Sequence, residues 1–254
     1  MGVEHTLKCH HIHQTSPEAM SAASQLGIPE DRMTLLPYGV WTESFSEQPN
    51  RDERERIRHR YGLPIQDPVI LCVAALNRTH KRVDHLVAEL GRMEAKPHLL
   101  LCGAVDDPTV LEDARRTLGP EAVTHAYVTA SEMGSLYRAS DLCVLPSLVE
   151  GFGLGVIEAQ LSGLPVVAHD SAHFRWLLGE DAEQLVDMSS PGALAGKLKV
   201  LLADLPRLQE SASARRLRQA QRYDWKNVLP EYIAMYARAA AHPPTLIESL
   251  VDGR

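Results

Sequence analysis

The sequence predicts an α/β protein: a doubly wound parallel sheet with a helical C-terminal tail. Three observations carry this. The near-continuous apolar runs VILCVAAL (69–76), HLLLCGA (98–104) and DLCVLP (141–146) read as strands covered on both faces. Between them lie segments with helical apolar spacing, such as KRVDHLVAELGRM (81–93), where Val83, Leu86, Val87 and Leu90 share a face. The two kinds of segment alternate, which is the pattern of βαβ units.

The elements follow in order. TSPEAMSAASQLG (15–27) has a helix signature: Ser16 caps it, Pro17 opens it and Gly27 lies past its end. MTLLPYGVW (33–41) reads as a strand running into a turn. NRDERERIRHRYG (50–62) mixes both charge signs on a helix and reads as a solvated face. The α/β domain, roughly 38 to 222, continues with the strand at 69–76 and the helix at 81–93. HLLLCGA is the next strand, and DDPTVLEDARRTLG (106–119) the next helix, stopped by Gly119. AVTHAYV (122–128) is a weaker strand. SEMGSLYRAS (131–140) is a helix with Ser131 as its expected cap. DLCVLP, LGVIEAQLSG (154–163) and LPVVAHD (164–170) give strand, helix and strand. From Pro191 onward the pattern is nearly all helix.

Composition narrows the function classes. A hydrophobic share of 44% and a charged share of 23% over 254 residues are those of a soluble globular chain. No apolar run approaches the roughly 18 to 20 residues of a membrane span, and the N-terminus lacks the plan of a signal peptide. A net charge of -7 does not favour nucleic acid. Three of the four cysteines, Cys72, Cys102 and Cys143, sit in strand-like runs and read as small buried hydrophobes in a reduced, cytoplasmic chain.

The stretch PSLVEGFGLGVIEAQ (146–160) carries the chemistry. A strand ends at Pro146 and a helix starts near Leu154, with Gly151, Gly153 and Gly155 between and beyond. In an open parallel sheet the carboxyl end of such a strand borders the ligand crevice. Glycines admit a ligand close to the backbone, and the helix start offers N–H groups and partial positive charge, a setting that binds phosphate. Glu150 repels phosphate, so an acid there suits sugar hydroxyls; Glu158, one turn into the helix, suits a second pair. Phosphate between two polyols describes a nucleotide sugar. The glycine spacing alone is a weak signal, since helix-opening glycines are common and the pattern departs from G-x-G-x-x-G. The spacing of the two acids makes it specific.

EGFGLGVIE (150–158) resembles the E-x7-E motif of the retaining glycosyltransferases of GT-B fold, group 1 or family 4. PYGVWTESF (37–45) resembles the P-N-G-V-D…F junction of that family, with Tyr38 in place of Asn and Trp41 near the Asp. VAALNRTHKRVDHLVAEL (73–90) resembles the first strand and helix of its C-terminal domain, and residues 136–168 resemble its core motif block. The resemblance spans about residues 15 to 205. It implies a Rossmann-like, C-terminal donor-binding half of a GT-B enzyme. Glu150 would contact the transferred sugar and steady charge at the reacting carbon, and Lys81 would stabilise the departing diphosphate. Gly151 belongs to the same donor-binding turn; the N–H groups of Phe152, Gly153 and Leu154 would hold sugar and phosphate. Glu158 would bind ribose, and the backbone near Tyr127 and Val128 would border the base. The basic partner that the family sets beside Lys81 would fall near Ala75 or Leu76; Arg78 is the nearest substitute, or else an exposed loop arginine. The later G-G-x-x-E segment appears as SAHFRW (171–176), with His173 or Arg175 near the donor.

The same resemblance implies three regions: 1–36, a remnant of an acceptor domain; 37–224, the donor-binding domain; and 225–254, a crossover helix and tail. The acceptor domain would be missing or supplied by a partner chain, so the chain alone would bind donor and transfer nothing, and an exposed former interface would favour self-association. The acceptor, a sugar, lipid or small molecule, is left open, as are the base and the sugar. Two rivals remain: a non-catalytic nucleotide-sugar-binding subunit of a split enzyme, and a GT-B epimerase or phosphorylase. No cofactor and no metal is expected; the donor is a substrate and D-x-D is absent. CHHIH (9–13) offers metal-ligand types but without separated pairs, and reads as a partly strand-like terminus. RRLRQAQRYDW (215–225) reads as a solvated helix face, with a peripheral membrane contact as the alternative.

Overall fold

The computed structural model describes residue 9, residues 11–45 and residues 51–241, apart from the side chains at 180, 181 and 183. In chain order the elements are β1 (Ile12–Gln14), α1 (Pro17–Gln25), β2 (Met33–Leu35), α2 (Arg51–Tyr61), β3 (Val69–Val73), α3 (Val83–Gly91), β4 (His98–Cys102) and α4 (Pro108–Leu118). There follow β5 (Val123–Ala126), α5 (Ala130–Ala139), β6 (Leu142–Val144), α6 (Leu154–Leu161), β7 (Val166–Val167) and α7 (Ala172–Leu178). Helices α8 (Ala193–Ala203), α9 (Leu205–Glu210), α10 (Ala212–Tyr223) and α11 (Trp225–Ala241) close the described chain. No described helix is long and apolar enough to cross a membrane.

The chain divides into two compact units. One runs from Thr42 to Ala220; the other joins the described residues up to Trp41 with those from Gln221 on. The larger unit is the predicted doubly wound domain. Its five strands are all parallel, in the order β5-β4-β3-β6-β7. The chain therefore builds outward from β3 through β4 to β5, then returns to add β6 and β7 on the other side. Ile70 lies opposite both Leu99 and Leu142, so β3 is the central strand. On one face Ile70, Cys72, Leu99 and Leu101 pack with Leu86 and Leu90 of α3, Val110 and Ala114 of α4, and Leu194 and Leu198 of α8. Leu71 and Leu100, at the alternate positions, are also fully buried. Both faces are covered, which is why these strands are apolar without alternation. Each such leucine contributes about 1.5–3 kcal/mol of burial.

Local chemistry sets the helix starts. Ser16 accepts from the Ala19 N–H at 3.0 Å with Pro17 at the first position. Asp107 does the same for Thr109 at 3.0 Å ahead of Pro108. At α5 the cap is Thr129, not Ser131. Thr129 is extended, and Glu132, three residues on, accepts from its backbone N–H at 3.2 Å. That reciprocal box needs the acid at the third helical position, which only Thr129 allows.

Helix α2 also departs from expectation, because it is not solvated on every side. Arg58 is 3% exposed. Its Nη2 donates to Asp141 at 2.6 Å, its Nε to the Ala139 carbonyl at 2.9 Å, and its Nη1 to the Pro64 and Ile65 carbonyls at 2.8 and 2.9 Å. Asp141 also accepts from the Val69 N–H at 2.8 Å. One buried ion pair thus fastens α2 to the entries of β3 and β6.

In the smaller unit β1 and β2 pair in parallel, with Ile12 opposite Met33. Ala23 and Met20 of α1 pack on Met33 and Ile28. Val228, Tyr232 and Met235 of α11 pack on Leu36. The CHHIH segment is part strand: His11 pairs with the Thr34 hydroxyl at 2.6 Å and His13 with the Leu36 carbonyl at 2.9 Å. His10 lies outside the described residues. No group of three metal-ligand side chains occurs among the described residues.

Candidate functional site

The sheet order reverses between β3 and β6, and at such a switch point the loops leaving two adjacent strands part to form a crevice. The loop after β3 carries Arg78 and Lys81. The loop after β6 carries Glu150 and the glycine turn.

The β3 loop is folded around Asn77. Its Oδ1 accepts from the Lys81 backbone N–H at 3.1 Å and the Thr79 hydroxyl at 3.2 Å, and its carbonyl accepts from Val83 at 3.1 Å. Arg82 then takes φ 48°, the left-handed region that non-glycine residues rarely occupy. Such a conformation costs about 1–2 kcal/mol. Its guanidinium donates to the Met188 carbonyl at 3.1 Å and approaches that of Pro146 at 3.4 Å. These contacts tie the β3 loop to the start of the β6 loop.

Across that tie Lys81 and Glu150 meet. Nζ lies 2.7 and 2.8 Å from the two carboxylate oxygens. The Glu150 side chain is 9% exposed and that of Lys81 20%. Residues 69 positions apart in sequence form the central contact of the crevice.

The turn beside them is set by Gly153, at φ 93° and ψ 45°, which caps α6. A Cβ there would lie 3.1 Å from Leu177, so both conformation and space favour glycine. Phe152 is buried; its carbonyl accepts from His173 Nε2 at 2.9 Å. Its ring lies 6.3 Å from that of Trp176. The first-turn N–H groups of Leu154 and Gly155 lie at the positive end of α6. Leu154 is exposed, and nothing crowds Gly151.

Glu158 is half-buried on α6, and Oε2 accepts from the Tyr137 hydroxyl at 2.9 Å. Burial holds its carboxyl above the usual range, with the tyrosine bond opposing. The Tyr137 phenol is pushed well up by its own burial and by the Glu158 charge.

The structure brings Lys81, Glu150, Gly151, Phe152, Gly153, Leu154 and Glu158 into one region. Arg78 is turned elsewhere: it donates to Asp107 at 3.2 Å and Thr109 at 2.9 Å at the start of α4, and pairs with Asp113 one turn further on. Val128 is half-buried just past β5, two strands from the switch. His173 is buried under the turn, and Arg175 is exposed, pairing with Asp170 at 2.6 Å. Tyr137, Asn77 and Arg82 shape the site without a sequence signal: each sits in an ordinary helix or loop pattern.

Comparison with known proteins gives the family and the fold. The family model described as glycosyl transferases group 1 matches residues 67–204. The D-inositol 3-phosphate glycosyltransferase of Xylanimonas cellulosilytica is 30% identical over 242 residues, covering 92% of this chain and 58% of that protein. The MMP alpha-(1->4)-mannosyltransferase of Mycolicibacterium hassiacum is 26% identical over 89% of this chain and 53% of its own length. The chain thus spans little more than half the length of these curated relatives. Among solved structures, sucrose-phosphate synthase from Thermosynechococcus elongatus superposes with a TM-score of 0.75 at 25% identity, over 90% of this chain and 58% of that one. Anabaena HepE, solved in complex with UDP-glucose, shares the fold with a TM-score of 0.76 at 20% identity, over 91% and 64%.

Proposed function

The chain belongs to the group 1 glycosyl transferases, and from that membership we propose that it is the donor-binding half of a retaining glycosyltransferase. The intact enzyme moves a sugar from a nucleotide diphosphate sugar to an acceptor and keeps the anomeric configuration. The observation that carries this reading is the Lys81–Glu150 contact beside the αL turn of Gly153. Lys81 leaves Glu150 for the donor diphosphate, where a fixed cation acts as negative charge builds on the leaving group. Glu150, so released, accepts from hydroxyls of the transferred sugar and steadies positive charge at its anomeric carbon. The Phe152, Gly153 and Leu154 backbone holds sugar and phosphate, and Glu158 takes the ribose hydroxyls. The region past β5 near Val128 borders the base. No cofactor takes part, and the acceptor is held by residues outside this unit.

Calorimetric titration with UDP, GDP, ADP and their sugar conjugates tests the reading. UDP heads the series because HepE, which shares the fold, was solved with UDP-glucose. One nucleotide diphosphate is expected to bind. Lys81→Ala and Glu158→Ala should each weaken it about tenfold or more, since a charge-assisted hydrogen bond is worth about 1.5–3 kcal/mol. Binding that neither substitution alters would sink the proposal.

A further inference from the structure

A second cavity lies at the other end of the same sheet. Asp141 and Pro165 line it, and they stand immediately before β6 and β7, whereas Lys81 and Glu150 follow strand ends. Its volume is about 360 Å³. Four guanidinium groups line it, from Arg51 and Arg54 of α2, Arg138 of α5 and Arg216 of α10. Asp141 is the one carboxylate of the lining, and it is engaged: Arg54 donates to Oδ1 at 2.5 Å and Arg58 to Oδ2 at 2.6 Å. Arg138 is 11% exposed, and Glu53 lies 3.7 Å from its Nη2, a long ion pair. The buried Nε of Arg138 and the buried hydroxyl of Ser162, also in the wall, have no hydrogen-bond partner among the described residues.

Four arginines meet here in a chain of net charge -7, with Arg51 held by Glu55 at 3.0 Å and Arg54 by Asp141. Guanidinium groups are planar, permanently charged forks that match phosphate oxygens. Partial burial raises the value of each contact and leaves unmatched N–H groups costly. Burial also holds Arg216 below the usual arginine range, and its Nη2 donates to the Ser213 hydroxyl at 3.2 Å.

We infer that this cavity binds a phosphate group, as a free phosphate monoester or as the headgroup of an anionic lipid, at a site separate from the switch-point crevice. The guanidiniums of Arg54, Arg138 and Arg216 face the phosphate oxygens, with Arg51 at the open rim. The RRLRQAQRYDW segment then has a partner through Arg216. The inference does not rest on the sugar-transfer reading.

The test is calorimetric titration of the full chain with inorganic phosphate, alongside Arg216→Gln, Arg51→Gln and Lys81→Ala. Arg51 is 83% exposed, so its replacement leaves the fold intact even if Arg216→Gln does not fold. Phosphate affinity should fall about tenfold in Arg216→Gln and about threefold in Arg51→Gln, in proportion to the burial of each cation. Lys81→Ala removes the switch-point crevice's own hold on phosphate and should leave the arginine-dependent binding in place. Co-sedimentation with equimolar phosphatidylcholine and phosphatidylglycerol vesicles separates the sources. Vesicle binding without free-phosphate binding, lost in the same arginine variants, supports the site and assigns the phosphate to a lipid. Binding unaffected by both arginine replacements, binding lost only in Lys81→Ala, or binding to neither probe overturns the inference.

Discussion

Glu158 is pulled in two directions: burial favours its neutral form and the Tyr137 hydroxyl favours the carboxylate, with burial prevailing. The folded state therefore holds this proton more tightly than the unfolded state. The contribution of the group to stability is greatest at low pH and declines as pH rises past the ordinary value of 4.5 through the raised folded one. Glu158→Gln should lack that decline. Urea midpoints of the variant, relative to the wild type, should rise between pH 4.5 and neutrality; a constant difference would contradict this account. Tyr137→Phe removes the one bond that favours the charge, so the Glu158 titration seen by carbon NMR should move further up. The fold should lose about 1.5–3 kcal/mol with it. The residues of this region were legible because Glu150 and Glu158 are fixed by spacing along one chain segment. Tyr137, 21 residues before Glu158, had no such tag.

At the scale of elements, the buried Arg58–Asp141 pair joins α2 to the sheet. Replacing Arg58 leaves Asp141 with Arg54 as its one cation and takes the donor from the backbone carbonyls of Ala139, Pro64 and Ile65. Arg58→Met should cost about 3–5 kcal/mol, read as a lowered urea midpoint. Adding Asp141→Leu should leave the loss largely unrecovered, because Arg54 and the Val69 N–H then lose their acceptor as well. A double variant as stable as the wild type would contradict these further roles of Asp141. The strands of the larger unit and the helices between them were readable because a strand buried on both faces must be apolar throughout. The burial of Arg58 was not readable. Nothing in RDERERIRHRY distinguishes the two arginines that meet Asp141 from their neighbours, since the partner lies 83 positions from Arg58 and 87 from Arg54. The Thr129 cap was within reach of sequence reasoning: Glu132 three residues later was the signal.

At the scale of the whole molecule, α11 carries two apolar stripes. Val228, Tyr232 and Met235 are buried, while Leu229, Ile233 and Tyr236, at the same spacing one position on, are 50%, 61% and 65% exposed. A helix that is apolar on two faces is normally covered on both. The chain is therefore expected to self-associate through the exposed stripe. Sedimentation velocity should show a concentration-dependent species above the monomer, removed by Ile233→Lys; a single monomeric boundary at high concentration would contradict it. By itself the sequence determined the α/β class, the strand and helix order and the glycine turn between two acids. These depend on periodicity, on glycine geometry and on spacings within one segment, all written locally. Only the tertiary structure decided that Lys81 meets Glu150, that Arg78 turns to the start of α4, that Tyr137 sits under Glu158, and that four arginines gather at the opposite end of the sheet. Those pairings follow from strand order and helix packing, which bring together side chains whose separation along the chain has no period to reveal it.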